Sequence, residues 1–435
     1  MYPIRADRLG IGPPYLRCGS WNISTPGGTL LNGSRTTHRA RPKLVTPPFL
    51  LITFSTFAYF VSIGTLLPTL PRYVEGPLGG NSVSVGLVIG SFAFSAVVVR
   101  PFIGGIGDRR GRRMLMIGGA AAVAISIAGY AAVTTIVPLI ALRLVTGMGE
   151  AAFYVGAASA INDLAPDERR GEALSFFSLA LYSGIGAGPV IGEFVLHASS
   201  FTATYLVAAA AAVVAAAIGL RVPETRSDEV RNALVVPGNR FVHKAGLVPG
   251  TILATSVWGL AGFSTFIPLY ALDIGMSGSK LVFATYSAVV LAIRSIGARL
   301  PDILGPRRAA TSALATSAIA LALIALWASP AGLFIGAVLF GIGQALAFPA
   351  LMTLAIRGTP ATERGAVVGT FTAFFDLAFG AGALSLGAVA ALLGYRGLFF
   401  TASLVAVVGM LLLHFYVFRE RSQELVEEAR FPEHL

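Results

Sequence analysis

Charge is scarce in this sequence of 435 residues: Asp, Glu, Lys and Arg make up 12% of it, about half the share of an ordinary soluble domain. So few charges cannot solvate a globular surface, and 55% of the residues are hydrophobic. A water-soluble enzyme and a disordered chain are both excluded. Cysteine is almost missing, and the one residue, Cys18, leaves no disulfide framework and no multi-cysteine metal site. Five histidines stand apart at positions 38, 197, 243, 414 and 434, so no metal centre is expected. Three active-site signatures are missing as well: a Gly-x-x-x-x-Gly-Lys-Ser/Thr phosphate loop, His-Glu-x-x-His and Gly-x-Ser-x-Gly. Nucleotide-driven work and intramembrane hydrolysis therefore lack their chemistry, and no enzyme activity or cofactor is implied.

What the chain has is apolar runs of membrane length, with a mean hydropathy of +0.76. Bilayer hydrocarbon offers no water to backbone groups, so each crossing should be a helix of about 20 mostly apolar residues. Twelve such runs are read near 49–70, 83–103, 114–134, 136–161, 172–196, 201–221, 247–272, 280–300, 309–328, 331–355, 366–392 and 397–418. The weakest boundary is the Thr-Thr-Ile-Val-Pro stretch after the third. An all-α polytopic membrane protein follows.

An even number of spans puts both termini on one side, and the basic residues choose which. Of the 32 Lys and Arg, 19 fall in loops and the tail on the side of the N-terminus, and three, Arg72, Lys280 and Arg396, fall in the opposite loops. Seven more precede the first span, and Arg100, Arg143 and Arg294 lie inside spans. This bias places both termini in the cytoplasm. The net charge of +11 is thus dispersed at helix ends, and no soluble basic domain exists to hold nucleic acid. Residues 1–47 lack the apolar core of a signal peptide and are expected to form a disordered cytoplasmic extension.

One constant offset of 194 residues relates the two halves. It carries Arg100 onto Arg294, Asp108 onto Asp302, Gly111 onto Gly305 and Arg113 onto Arg307. Without a gap it also carries Gly147, Gly149 and Ala151 onto Gly341, Gly343 and Ala345, and Gly186 and Gly188 onto Gly380 and Gly382. Two six-helix bundles, 48–222 and 246–418, are expected, joined by a cytoplasmic linker at 223–245 and followed by a tail at 419–435. Parallel repeats of this kind suit a transporter that rocks about a midplane cavity.

These residues resemble the major facilitator superfamily over about 48–418. The most specific stretch is Gly104-x-x-x-Asp108-Arg109-x-Gly111-Arg112-Arg113, similar to the family's loop motif between the second and third helices. The resemblance implies a cytoplasmic latch between the halves. Glycines permit a tight turn, Asp108 can face a helix N-terminus, and the arginines can anchor at anionic headgroups. In the fifth span, Gly184-x-x-x-Gly188-Pro189-x-x-Gly192 resembles the motif associated with proton-driven exporters. Its small residues permit close helix approach, and Pro189 kinks the span. The family pattern ends in two glycines, whereas here Glu193 stands in the second place.

Ionisable side chains inside spans are costly, about 2.5 kcal/mol or more at the centre, and normally line a cavity or pair with each other. Arg143, Gly147, Glu150 and Tyr154 share one face of the fourth span, within about 40°. Across the seven residues from Arg143 to Glu150 the rise is about 10.5 Å, too far for direct contact. The repeat equivalents of Arg143 and Glu150 are Ala337 and Gln344, both neutral, so coupling charge is expected in the first half. Asp376 lies among Phe374, Phe375 and Phe379 and corresponds to Tyr182 in the repeat. Arg143, Glu150, Asp376 and Glu193 are the proton-coupling candidates. Tyr59, Tyr154, Trp258, Phe263, Gln344 and Phe348 are the substrate-cavity candidates, and a largely neutral interior suits an amphipathic or cationic organic compound better than a sugar. The expected function is that of a monomeric, twelve-span exporter in the inner membrane, of the drug:proton antiport type, whose partners are protons, a small molecule and lipid. Its rivals are an uptake carrier of the same fold and a non-transporting receptor.

Overall fold

The computed structural model describes residues 44–166, 169–226, 243–296, 303–360 and 363–430. Residues 1–43, most of the linker at 227–242 and Asp302 of the second loop copy therefore lie outside the described residues. The described chain is all helical: α1 (Pro47–Glu75), α2 (Ser82–Arg110), α3 (Arg112–Tyr130), α4 (Ile136–Leu164), α5 (Arg170–Ala198), α6 (Phe201–Gly219), α7 (Lys244–Asp273), α8 (Lys280–Ile296), α9 (Pro306–Leu326), α10 (Pro330–Ile356) and α11 (Arg364–Arg430). Ten stretches are long and apolar enough to cross a membrane.

Local chemistry sets the boundaries. Asn81 Oδ1 accepts from the backbone N–H of Ser84 at 3.0 Å to cap α2. Ser200 Oγ does the same for α6 at 3.2 Å and Ser329 Oγ for α10 at 3.1 Å, each supplying a partner for an otherwise orphaned donor. Gly111, at φ 103°, turns α2 into α3, and Gly305, at φ 77°, stands just before α9. A side chain would be strained at either place. The third span ends at Tyr130, four residues earlier than its apolar pattern suggested, and Thr135 is the residue before α4. Within α11, Gly394 leaves helical geometry at φ 70° and ψ 179°, between the two runs read as separate spans in the sequence.

Small residues set helix spacing, as expected where apolar burial gives no advantage over lipid. A Cβ on Gly188 would lie 2.5 Å from the backbone of Gly64 and Thr65, and one on Gly184 would lie 2.7 Å from Phe57 O. The α5 motif therefore packs α5 on α1, and Gly192 meets Thr65 O at 2.6 Å in the same way. Helices α1–α6 pack among themselves, as do α7–α11, and the two sets meet mainly through α2 on α11 and α5 on α8. One end of the bundle, with the α2–α3 turn and Arg169, Arg221, Arg307 and Arg357, is here named the basic end. The other, with the α5–α6 turn and Ser279, is the far end.

Candidate functional site

The face of α4 carrying Arg143, Gly147, Glu150 and Tyr154 lies along α2. Arg143 is buried, donates from Nε to Val88 O at 3.2 Å, and sets its guanidinium 4.5 Å from the centre of the Phe92 ring. A Cβ on Gly147 would lie 2.1 Å from Phe92 O, so only glycine admits this approach. Further along, Glu150 Oε2 meets Arg100 Nη2 at 3.4 Å. Tyr154 places its ring 5.4 Å from the same guanidinium.

Arg100 also reaches the other set of helices. Its Nε lies 3.1 Å from Asp376 Oδ2 on α11, an ion pair not aligned as a hydrogen bond, since neither atom has a hydrogen-bond partner. One guanidinium on α2 thus stands between a carboxylate of the first half and a carboxylate of the second. With both acids ionised the cluster carries a net charge of −1, and one proton makes it neutral. The sequence marked Glu150 and Asp376 as candidates but saw Arg100 only as a basic residue inside a span. Arg143 joins α2 to α4 and does not share in this cluster.

Glu193 is fully buried at the far end. Its Oε1 accepts from the backbone N–H and the hydroxyl of Ser279, both at 2.7 Å, and its Oε2 accepts from the N–H of Lys280 at 3.0 Å. The carboxylate on α5 therefore caps the N-terminus of α8, where N–H groups and the helix dipole both favour negative charge. A Cβ on Gly278 would lie 2.3 Å from Oε2, so this glycine lets the loop close over the acid. Nearby, Tyr395 donates its hydroxyl to the Glu75 carboxylate at 3.1 Å. Along the α2–α11 seam, a Cβ on Gly86 would lie 2.5 Å from Ala383 O, and one on Gly387 2.5 Å from Ser82 O.

At the basic end, Asp108 pairs with Arg112 at 2.8 Å, and Arg112 reaches Asp163 at 3.5 Å. The carboxylate that meets the N-terminus of α3 is that of Glu224, which accepts from Arg112 N at 2.9 Å. Arg226 donates to the carbonyls of Asp108, at 2.9 Å, and Arg109, at 2.6 Å, and Arg113 donates to Leu220 O. These partners belong to the first half and to the start of the linker, and among the described residues none comes from the second half. Gly104 sits inside α2 with open space around it, and Gly111 alone makes the turn.

Of the aromatic candidates, Tyr59 is buried and stacked on Phe153 at 3.9 Å, and Phe263 is buried beside Phe340 at 4.9 Å. Both fill core. Phe348 meets Phe371 edge-on at 5.3 Å, Gln344 donates its amide to Ser256 Oγ at 3.1 Å, and Trp258 packs against Gly382. Only Tyr154 among them touches the charge cluster.

The family model described as Major Facilitator Superfamily matches residues 52–300 and 279–434. An uncharacterized MFS-type transporter of Pseudomonas aeruginosa strain UCBPP-PA14 is 30% identical over 388 residues, 85% of this chain and 92% of that protein. The uncharacterized MFS-type transporter YhhS of Escherichia coli K12 is 25% identical over 386 residues, 87% of this chain and 94% of YhhS. Among solved structures, that of the human organic anion transporter MFSD10 is similar in fold, with a TM-score of 0.67 at 20% identity, covering 85% of this chain and all of that one. The transmembrane helices, the packing between two sets of them and these matches lead to one conclusion: the chain belongs to the Major Facilitator Superfamily and is a multi-pass membrane transporter, not an enzyme.

Proposed function

We propose that the protein exports a small organic compound across the inner membrane, as a monomer, by alternating access of two six-helix bundles coupled to proton entry. The observation that carries this reading is the Arg100 bridge between Glu150 and Asp376. At 3.1 Å and an effective dielectric of about 20, the gross attraction between Arg100 and Asp376 is about 5 kcal/mol. A proton arriving at Asp376 removes that attraction at the seam between the bundles, and one arriving at Glu150 leaves Arg100 wholly to Asp376. Protonation thereby biases a two-state element, which is what coupling requires.

Counting α11 as two arms about Gly394 and α8 as a crossing gives twelve spans. The basic end then faces the cytoplasm by the bias of Lys and Arg. The ties of Glu193 to α8 and of Tyr395 to Glu75 lie at the opposite, outward end and support an arrangement closed outside. Export draws its support from the α5 motif. In this reading Arg143 positions α4 on α2, and the Asp108 loop engages the second half only in the opposite state.

The test uses everted membrane vesicles that overproduce the protein, loaded with protons by respiration. Addition of a transported compound releases protons from the wild type, and Glu150→Gln and Asp376→Asn release none. Equal release from the wild type and both variants removes proton coupling from the account.

A further inference from the structure

The seam between α5 and α8 carries a second arginine in a setting unlike that of Arg100. From the far end inward, Glu193 meets Ser279 at 2.7 Å, and a Cβ on Gly186 would lie 2.7 Å from the Cβ of Ser287. Deeper still, the Tyr182 ring of the first half lies 4.3 Å below the Arg294 guanidinium of the second. Ser287 and Arg294 are seven residues apart, which puts them within about 20° on one face of α8. Ser287 Oγ and Arg294 Nε are both buried without a hydrogen-bond partner, and among the described residues no carboxylate pairs with Arg294. Two unsatisfied donors on one face of a membrane helix are costly and point to something that accepts from them.

The 194-residue offset shows what has changed. It relates Gly186 and Ser287 to Gly380 and Ala93, which are also neighbours: a Cβ on Gly380 would lie 3.2 Å from that of Ala93. It relates Tyr182 and Arg294 to Asp376 and Arg100, which meet at 3.1 Å. Gln344 replaces Glu150 and turns its amide to Ser256. The α2–α11 arginine thus has two carboxylates where the α5–α8 arginine has the Tyr182 ring and, in place of the second acid, an amide that serves Ser256. A ring face attracts a guanidinium but leaves its charge uncompensated.

We propose that Arg294 receives an anionic group of the cargo, a carboxylate or a phosphate-like oxyanion, while the Tyr182 ring holds the guanidinium in place. A planar fork of N–H donors matches such groups two bonds at a time. Because Arg294 and Tyr182 belong to different bundles, the bound anion sits where the bundles must part. This assignment rests on the transport reading above and narrows its cargo to organic anions.

The test compares three molecules of one shape, 2-naphthoate, 2-naphthamide and 2-naphthylmethylamine, by titration of the full chain in phosphatidylcholine vesicles. The acid is expected to bind at least about tenfold more tightly than the amide or the amine. Arg294→Gln levels the three, and Arg294→Lys keeps part of the preference. In the unaltered protein, 2-naphthoate slows modification of Arg294 by phenylglyoxal, read by peptide mass spectrometry. Equal binding of acid and amide, binding of none, or an unprotected Arg294 overturns the assignment. Loss of the acid's advantage when phosphatidylglycerol is added to the vesicles gives the site to a lipid headgroup and overturns it as a cargo site. Transport fails separately: acid bound at Arg294 without flux removes the transport reading and keeps the site, whereas proton-coupled flux of the amine removes the site and keeps transport.

Discussion

Replacing Glu193 by Gln perturbs the far-end seam while keeping its shape. In the wild type the carboxylate accepts three hydrogen bonds, two from Ser279 and one from Lys280, at 2.7, 2.7 and 3.0 Å. Gln offers one acceptor oxygen in place of two and no charge against the positive end of α8. Hydrogen bonds to a charged group contribute about 1.5–3 kcal/mol each, so losing one and weakening the others should cost the closed arrangement about 2–3 kcal/mol. At 1.4 kcal/mol per tenfold, the population of the open arrangement rises by about 30- to 150-fold. Spin labels at the exposed positions Ser199 and Asp273, in a Cys18→Ser background, report the separation of the halves by double electron–electron resonance. The wild type should give one short distance, and Glu193→Gln should add a longer one. Gly278→Ala should act alike, because the added Cβ would lie 2.3 Å from Glu193 Oε2. Distance distributions identical in all three proteins would refute the clamp.

Gly188→Val forces a branched side chain against backbone 2.5 Å away on α1. It should lower the melting temperature in detergent by the equivalent of about 1–3 kcal/mol or more. Arg143→Lys keeps the charge but loses the Nε–H bond to Val88 O and the flat contact with Phe92. A loss of about 1–2 kcal/mol in stability is expected, with the proton stoichiometry of transport unchanged. Asp376→Asn should abolish proton release from everted vesicles without a comparable loss of stability, and Asp376→Glu should restore part of it.

Much of the scaffold was legible because membrane crossing imposes a simple pattern. Length, apolarity and the dispersion of arginines located the helices, and Gly111 marked its turn. The shared face of Arg143, Glu150 and Tyr154 followed from helical spacing alone. Its neighbours did not, because a lone helix does not say what lies opposite. Val88 O serves Arg143 as a backbone acceptor that any residue could supply. Arg100 carries the cluster, yet its second partner, Asp376, is 276 positions away on another bundle. Glu193 was visible as a departure from the two-glycine ending. Its partners are backbone N–H groups at the start of α8, which leave no trace in residue types. Tyr59 and Phe263 stood among the cavity candidates because an aromatic on a helix does not declare its neighbours, and both are buried against Phe153 and Phe340.

The central claim, that protons reach the seam between the bundles through the Arg100 cluster, is tested most directly by the distance between the halves as a function of pH. Spin labels at the exposed positions Arg110 and Arg357 report the basic end in lipid vesicles. The account predicts a distribution that shifts between acid and alkaline samples of the wild type and stays fixed in the Glu150→Gln, Asp376→Asn double variant. A shift of the same size in the double variant would contradict it.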